Sequence, residues 1–205
     1  ANAHGGTTIY FGCGNRLLAV FVLADMVKET SAPAIASLKR LGLRVYMLTG
    51  DNNASAARVA EDVGATGFKA EMLPADKDKY ILDMQHRGRI VAMAGDGIND
   101  SSALARADVS IAMGNGTDIA IETAMVTLPT SDLQMLPRVV RLSKKTMRIV
   151  HQNLFWAFIY NIIGLPVAAG LFGIMLDPMW ASAAMAVSSV TVVLNSLRLK
   201  LVKVK

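Results

Sequence analysis

Between Leu17 and Leu128 short apolar runs recur, each closed by a polar loop and followed by residues at helical spacing. The run at 17–23 stops at Asp25, and Ser31-Ala32-Pro33 then opens a helix running to Gly42, with a cap residue and an early proline as its start signal. Residues 44–48 pass through Thr49-Gly50-Asp51-Asn52 into a small-residue helix over 54–63, stopped by Gly64. A weak strand over 68–72, a charged helix over 75–85 and a strand over 90–94 follow. A helix over 100–106, a strand over 109–113, a short helix over 117–123 and a last strand over 125–128 complete the series. A continuous apolar run such as 17–23 suits a strand buried on both faces. The alternation as a whole predicts an α/β fold: a partial Rossmann-like parallel sheet, helices on both faces, and ligands at the carboxyl ends of the strands.

Two of the loops carry groups able to do chemistry. In Ala94-Gly95-Asp96-Gly97-Ile98-Asn99-Asp100, Asp96 stands directly after a strand, where a carboxylate is a good hard-cation ligand. Gly95 and Gly97 allow backbone N–H groups to approach a phosphate, and Asn99 and Asp100 sit at a helix start whose dipole favours anions. A capped turn is the competing account, since Gly-Asp and Asn-Asp pairs are common punctuation. Thr49-Gly50-Asp51-Asn52 also lies at a strand end, where a hydroxyl and N–H groups could hold phosphoryl oxygens; a helix N-cap after a turn explains the same residues. Lys77, near Pro74 and Asp76, could bring a point charge to a phosphate, although a lone lysine ordinarily lies on a solvated face. His4, His86 and His151 lie too far apart in sequence to suggest a shared metal site, and the single Cys13 excludes an intramolecular disulfide.

From Ser131 the pattern changes. Leu133, Leu136, Val139, Val140, Leu142, Met147 and Ile149 fall at helical spacing with Arg138, Arg141, Lys144, Lys145 and Arg148 between them, which predicts a basic amphipathic helix at a membrane surface. No Asp, Glu, Lys or Arg occurs in the 25 residues from Gln152 or in the 20 from Pro178. At about 1.5 Å per residue each stretch is long enough to cross a hydrocarbon core of roughly 30 Å. Asp177-Pro178 between them makes a tight turn, so the expectation is an antiparallel transmembrane hairpin. Residues 1–137 carry 12 Lys/Arg against 15 Asp/Glu, whereas 138–205 carry 9 against Asp177 alone. The basic residues therefore flank the apolar stretches, and no aromatic-basic interleaving points to nucleic acid. The positive-inside rule places both ends in the cytosol and the turn on the far side. Tyr160 and Asn161 lie in the first span. Met185 and Ser189 lie one helical turn apart on one face of the second, where a thioether favours a soft ion such as Cu(I). Interhelical packing by Gly164, Ala168, Ala184 and Ser188 is the alternative.

Taken together, Thr49-Gly50-Asp51-Asn52, Leu73-Pro74-Ala75-Asp76-Lys77, the stretch Gly95 to Asp100, Tyr160-Asn161 and Met185-Ala186-Val187-Ser188-Ser189 resemble the heavy-metal P-type ATPases, in particular the copper(I) and silver exporters. The soluble part resembles their haloacid-dehalogenase-like phosphorylation domain. The resemblance implies a pump in which an aspartate takes the γ-phosphoryl group of ATP. Thr49 and Lys77 would bind that group, Asp96 would hold Mg²⁺ with Asn99 and Asp100 completing the site, and Gly50 and Asp51 would line the nucleotide side. Tyr160, Asn161, Met185 and Ser189 would ligate the transported Cu(I). The implied partners are ATP, the metal ion, the lipid bilayer, the remaining domains and helices of the same pump, and a copper chaperone as a further candidate; nucleic acid is not among them.

The implied organisation is a ragged edge over 1–16, a phosphorylation domain over 17–130, a connecting helix over 131–151, two membrane helices within 152–200 (about 152–175 and 179–198) and a basic tail over 201–205. No Asp-Lys-Thr-Gly-Thr occurs in the 205 residues. The expectation is thus a C-terminal piece of a pump, inactive alone because the phosphorylated aspartate is absent. Ser102 and Met26 stand where the family usually has proline, and neither is a proposed ligand. Two alternatives stay open: a pump for zinc, cobalt or potassium, and a membrane-tethered phosphate- or nucleotide-binding module without transport.

Overall fold

The computed structural model describes residues 7–23, 26–96, 98–114, 121–122, 124–168 and 178–201. The chain divides into two compact units, Ala1–Pro137 and Arg138–Lys205.

The first unit opens with an antiparallel hairpin of β1 (Thr7–Cys13) and β2 (Arg16–Leu23). Its turn passes through Gly14 at φ 60, a left-handed conformation that costs glycine least. This hairpin corrects two expectations. Residues 17–23 are not a strand buried on both faces of a parallel sheet, because Leu17, Leu18, Val20 and Phe21 are all exposed, as are Ile9, Tyr10 and Phe11 on the partner strand. Nor is 1–16 only a ragged edge, since Thr7–Cys13 supplies that partner strand. A run of apolar residues records a preference for burial, not the identity or direction of the strand beside it.

The helix α1 (Ser31–Arg40) buries Ala34, Ile35 and Leu38 on one face and ends on Lys39 and Arg40, whose charge suits the negative end of the helix dipole. A βαβ unit follows: β3 (Tyr46–Leu48), α2 (Asn53–Asp62) and β4 (Gly67–Lys69), with β3 and β4 parallel. β4 is shorter than the expected 68–72 strand and begins a residue earlier, because the chain turns at Glu71, a non-glycine residue at φ 54. After α3 (Pro74–His86) come β5 (Ala92–Gly95), α4 (Ser101–Arg106), β6 (Val109–Met113) and β7 (Val126–Leu128). These three strands form a parallel sheet in the order β5-β6-β7. Most of the helix expected over 117–123 lies outside the described residues.

The core lies where α3 meets α4. Ile81 from α3 packs with Ala103 and Ala107, and Val91 and Met93 from the β5 segment pack against them. Removing a side chain such as Ile81 from water stabilises the fold by roughly 1.5–3 kcal/mol. The small residues opposite it let the helices approach closely. The buried hydroxyl of Ser110 on β6 accepts the backbone N–H of Met125 at 2.9 Å, so this polar atom in the apolar strand has a partner.

α5 (Met135–Ala168) runs from the end of the first unit into the second, which also holds α6 (Pro178–Leu197) and a closing 3-10 turn (Arg198–Leu201). α5 is a single 34-residue helix that runs on through the boundary expected at 151–152 between connecting helix and first span. A change from charged to uncharged residues does not interrupt a backbone helix. Among the described residues no helix is long and apolar enough to cross a membrane. Two compositional facts accompany that result. The first half of α5 carries Arg138, Arg141, Lys144, Lys145 and Arg148, while its uncharged part is described only from Gln152 to Ala168. α6 includes Ser182, Ser188, Ser189, Thr191, Asn195 and Ser196 among its apolar residues.

Candidate phosphoryl and cation site

The end of β3 carries the first of the two candidate loops. Thr49 continues the strand pairing by donating its N–H to the Lys69 carbonyl at 2.9 Å, and its own carbonyl accepts the Met72 N–H at 3.0 Å. Its hydroxyl accepts the Asp51 N–H at 3.1 Å and donates to the Asp51 carboxylate at 2.8 Å. The Asp51 carbonyl in turn accepts from Glu71 N–H at 2.8 Å, which holds the loop against the turn after β4. Asn52 caps α2, accepting the Ser55 N–H at 2.9 Å. The capped-turn reading and the ligand reading are therefore both served by this loop: Asn52 does the capping, while Thr49, Gly50 and Asp51 remain at a partly or fully exposed strand end. A Cβ on Gly50 would meet Met72 O at an ordinary 3.5 Å, so space alone does not require glycine there.

The segment that holds Thr49 also launches α3. The Asp76 carboxylate accepts the Leu73 N–H at 3.0 Å, and Pro74 stands in the first turn, where its missing N–H costs nothing. This start places Lys77 on the face of α3 toward the second loop. There Lys77 Nζ donates to Asp100 Oδ1 at 2.7 Å, with the two side chains only 12% and 17% exposed. Lys77 is thus not on a solvated face, and Asp100 is not a freely offered ligand. Asp100 closes a 3-10 turn (Ile98–Asp100) that runs into α4. A Cβ added to Gly95 would lie 2.9 Å from Asp100 Oδ2 and 3.1 Å from its Cβ, so a side chain at Gly95 would displace the carboxylate. Glycine here is a packing requirement of the Lys77–Asp100 pair.

Asp96 follows Gly95 at the end of β5 and is exposed, as is Asn99; Gly97 lies outside the described residues. The donors on offer at this strand end are carboxylate and carboxamide oxygens, the set that suits a hard cation such as Mg²⁺. No group of three or more His, Cys, Asp or Glu able to hold a metal occurs among the described residues. One or two carboxylates plus phosphate and water oxygens are nevertheless the ordinary complement for Mg²⁺.

Around this site lies a frame that sequence reading did not single out. Arg106 of α4 forms a two-pronged pair with Asp78 of α3, at 2.8 and 3.3 Å, and that hydrogen bond raises the guanidinium pKa further. Gln85 donates to the Arg106 carbonyl at 3.0 Å. Asp108 accepts the Val91 N–H at 2.8 Å, and this bond first, then one from Gln85, lowers its carboxyl pKa below the usual 3.8. The only signal in the sequence was charge of opposite sign on two neighbouring helices.

In the second unit, Tyr160 and Asn161 lie on α5 and Met185 and Ser189 on α6. Tyr160 is half-buried beside Trp156, with ring centroids 6.3 Å apart, and Asn161 Nδ2 donates to the Ala157 carbonyl of its own helix at 3.0 Å. The side chain of Met185 lies outside the described residues, and Ser189 is exposed. A polar link that sequence reading missed joins the two helices nearer their basic ends. Arg198 donates to Asn195 Oδ1 at 3.1 Å, Asn195 to Asn153 Oδ1 at 2.8 Å, Asn153 to Ser196 Oγ at 2.8 Å, and Ser196 to the Val192 carbonyl at 2.9 Å.

Parallel strands with Thr49 and Asp96 at their carboxyl ends, and a lysine–aspartate pair between α3 and the turn before α4, define an α/β domain with two strand-end loops. The family model of the haloacid dehalogenase-like hydrolases matches residues 2–108, and the chain belongs to that family. Its curated relatives include proteins named as copper-transporting and silver exporting ATPases. The probable copper-transporting ATPase PacS of Synechocystis is 50% identical over 198 residues, covering 95% of this chain and 27% of that protein. The silver exporting P-type ATPase of Salmonella typhimurium is 50% identical over 203 residues, 97% of this chain and 25% of that protein. Among solved structures, a zinc-transporting PIB-type ATPase in its E2.Pi state matches with a TM-score of 0.85 at 36% identity, covering 96% of this chain and 32% of that one. The chain thus spans about a quarter of the length of the curated relatives it matches.

Proposed function

We propose that this chain is part of an ATP-driven pump that exports copper(I), or silver, contributing the cation and phosphoryl site and a two-helix membrane segment. The observation that carries this reading is 50% identity, over nearly the whole chain, to relatives named as copper-transporting and silver-exporting ATPases. Its site chemistry agrees with what phosphoryl transfer needs, which is positioning plus cationic stabilisation of spread negative charge. Asp96, exposed at the end of β5, would hold Mg²⁺ together with Asn99. When bound, Mg²⁺ neutralises charge on the phosphoryl oxygens. Lys77, anchored by Asp100, presents a fixed positive charge to the same group. Thr49 offers its hydroxyl at the end of β3, and Gly50 and Asp51 line the nucleotide side. The acceptor aspartate comes from elsewhere in the pump, as the 205 residues contain no Asp-Lys-Thr-Gly-Thr.

α5 and α6 cross the bilayer as a hairpin, with both basic ends cytosolic. The uncharged stretches from Gln152 and from Pro178, and the Lys/Arg that flank them, support this arrangement. Tyr160, Asn161, Met185 and Ser189 ligate the cargo, a set whose thioether suits Cu(I) or Ag(I) better than a hard ion. The other domains of the pump, ATP and a copper chaperone are its partners.

A zinc pump is the second reading, favoured by the structural likeness to a zinc-transporting ATPase. Metal-stimulated ATP hydrolysis by the full-length protein separates the two. Stimulation by Cu(I) and Ag(I) but not Zn(II), lost on Met185→Ala combined with Tyr160→Phe, is expected. Stimulation by Zn(II) that is indifferent to both substitutions would support the zinc reading. Metal binding that survives both, with no hydrolysis, would favour a tethered phosphate-binding module.

A further inference from the structure

A groove of about 560 Å³ runs along one face of α5, and its lining changes character along the helix. Lys144, Arg148 and His151 line its first part, and Phe155 and Trp156 its last. Lys144, Arg148, His151 and Phe155 recur three or four residues apart and so share one face of the helix, and Trp156 adjoins Phe155 at its end. Phe155 and Trp156 meet edge-on with centroids 5.6 Å apart, and both are about half exposed. No Asp or Glu occurs anywhere from Leu133 to Leu176.

We infer that this face of α5 is a binding site for an anionic phospholipid, its headgroup phosphate held by Lys144 and Arg148 and the top of its acyl chains laid on Phe155 and Trp156. The argument is complementarity to an amphiphile. A nucleic acid or an acidic peptide would be matched by cationic residues along the whole groove, whereas here the cationic part gives way to an aromatic part within about three turns, or roughly 16 Å at 1.5 Å per residue. Tryptophan at that junction is the side chain that settles at the headgroup level of a bilayer, with an apolar ring and one N–H donor. Arg148 and Lys144, about two and three turns nearer the basic end, stand outside the apolar layer and reach back toward the phosphates, where each adds attraction for an acidic leaflet. The inference rests on the membrane reading above and deepens it, because it names a lipid class and the residues that select it.

The chain has two tryptophans, Trp156 and Trp180, so a Trp180→Phe background isolates the emission of Trp156. The full chain in that background is reconstituted into vesicles of phosphatidylcholine with 20% phosphatidylglycerol, one or the other lipid carrying brominated acyl chains. Brominated phosphatidylglycerol should quench Trp156 as though enriched about fivefold over its mole fraction, the enrichment expected of one strong cationic contact. Lys144→Gln combined with Arg148→Gln should return the quenching to the mole fraction, and 0.5 M salt should weaken it in the parent. Quenching by both lipids in proportion to their amounts would overturn the inference and leave the membrane reading standing. So would a preference that persists in the double variant. Quenching by neither lipid would overturn both.

Discussion

At the scale of single residues, the site turns on one ion pair and the glycine that admits it. Lys77 and Asp100 are mostly buried and 2.7 Å apart, so removing either leaves the other charge poorly solvated and without its partner. Lys77→Ala should destabilise the first unit by about 1–3 kcal/mol, less than for a fully buried pair because some water reaches both groups. The double variant with Asp100→Ala should cost less than the sum of the singles in denaturant titrations of the full chain. Strict additivity would mean that the pair contributes nothing as a pair. A second residue gives a pH signature. The carboxyl of Asp108 is held below its usual 3.8 by the Val91 N–H, so its stabilisation is fully present above that value and is lost as pH falls through the lowered one. Asp108→Asn should therefore lower stability at neutral pH, and its deficit should shrink as the pH drops below about 4. An equal deficit at pH 3 and pH 7 would contradict that account.

Among the elements, α5 and α6 are joined by a directional chain of hydrogen bonds from Arg198 through Asn195 and Asn153 to Ser196. Each donor in such a chain polarises the next, and a charged group stands at its head. A double-mutant cycle of Asn153→Ala and Asn195→Ala, read from unfolding of the full chain in mixed micelles, should give a coupling of about 0.6–1.7 kcal/mol. No coupling would mean the two carboxamides act independently. This link was not legible in the sequence, because two asparagines 42 residues apart show nothing of register until both helices are placed. The βαβ unit of β3, α2 and β4 and the helices α3 and α4 were legible to within a few residues, since proline, glycine and a capping Asn52 mark their ends. The hairpin of β1 and β2 was not. In Thr7–Cys13 the apolar run is only Ile9-Tyr10-Phe11, set between threonines and Gly12, and nothing in so short a run shows that it pairs with 16–23. The uninterrupted α5 was missed for a different reason. Charge content was used to place a boundary, while no glycine or proline between Arg138 and Ile163 actually breaks the helix.

At the scale of the whole molecule, a haloacid dehalogenase-like domain precedes a long basic helix and a second helix rich in small and hydroxyl side chains. The candidate site was largely legible, because loops at strand ends keep their chemistry in contiguous residues: Thr49 to Asn52, and Gly95 to Asp100. What the sequence withheld is the division of labour inside the second loop. Asp96 is open and Asp100 is committed to Lys77, and only packing distinguishes two aspartates four residues apart. The assignment of Asp96 as the Mg²⁺ ligand, proposed above, is tested by Mg²⁺-dependent, Cu(I)-stimulated ATP hydrolysis of the full-length protein. Asp96→Ala should reduce that rate by at least about 100-fold, the scale expected when electrostatic stabilisation of a transition state is removed, while the protein still reaches the membrane. A variant hydrolysing ATP at the parent's rate, with the same dependence on Mg²⁺ and Cu(I), would contradict it.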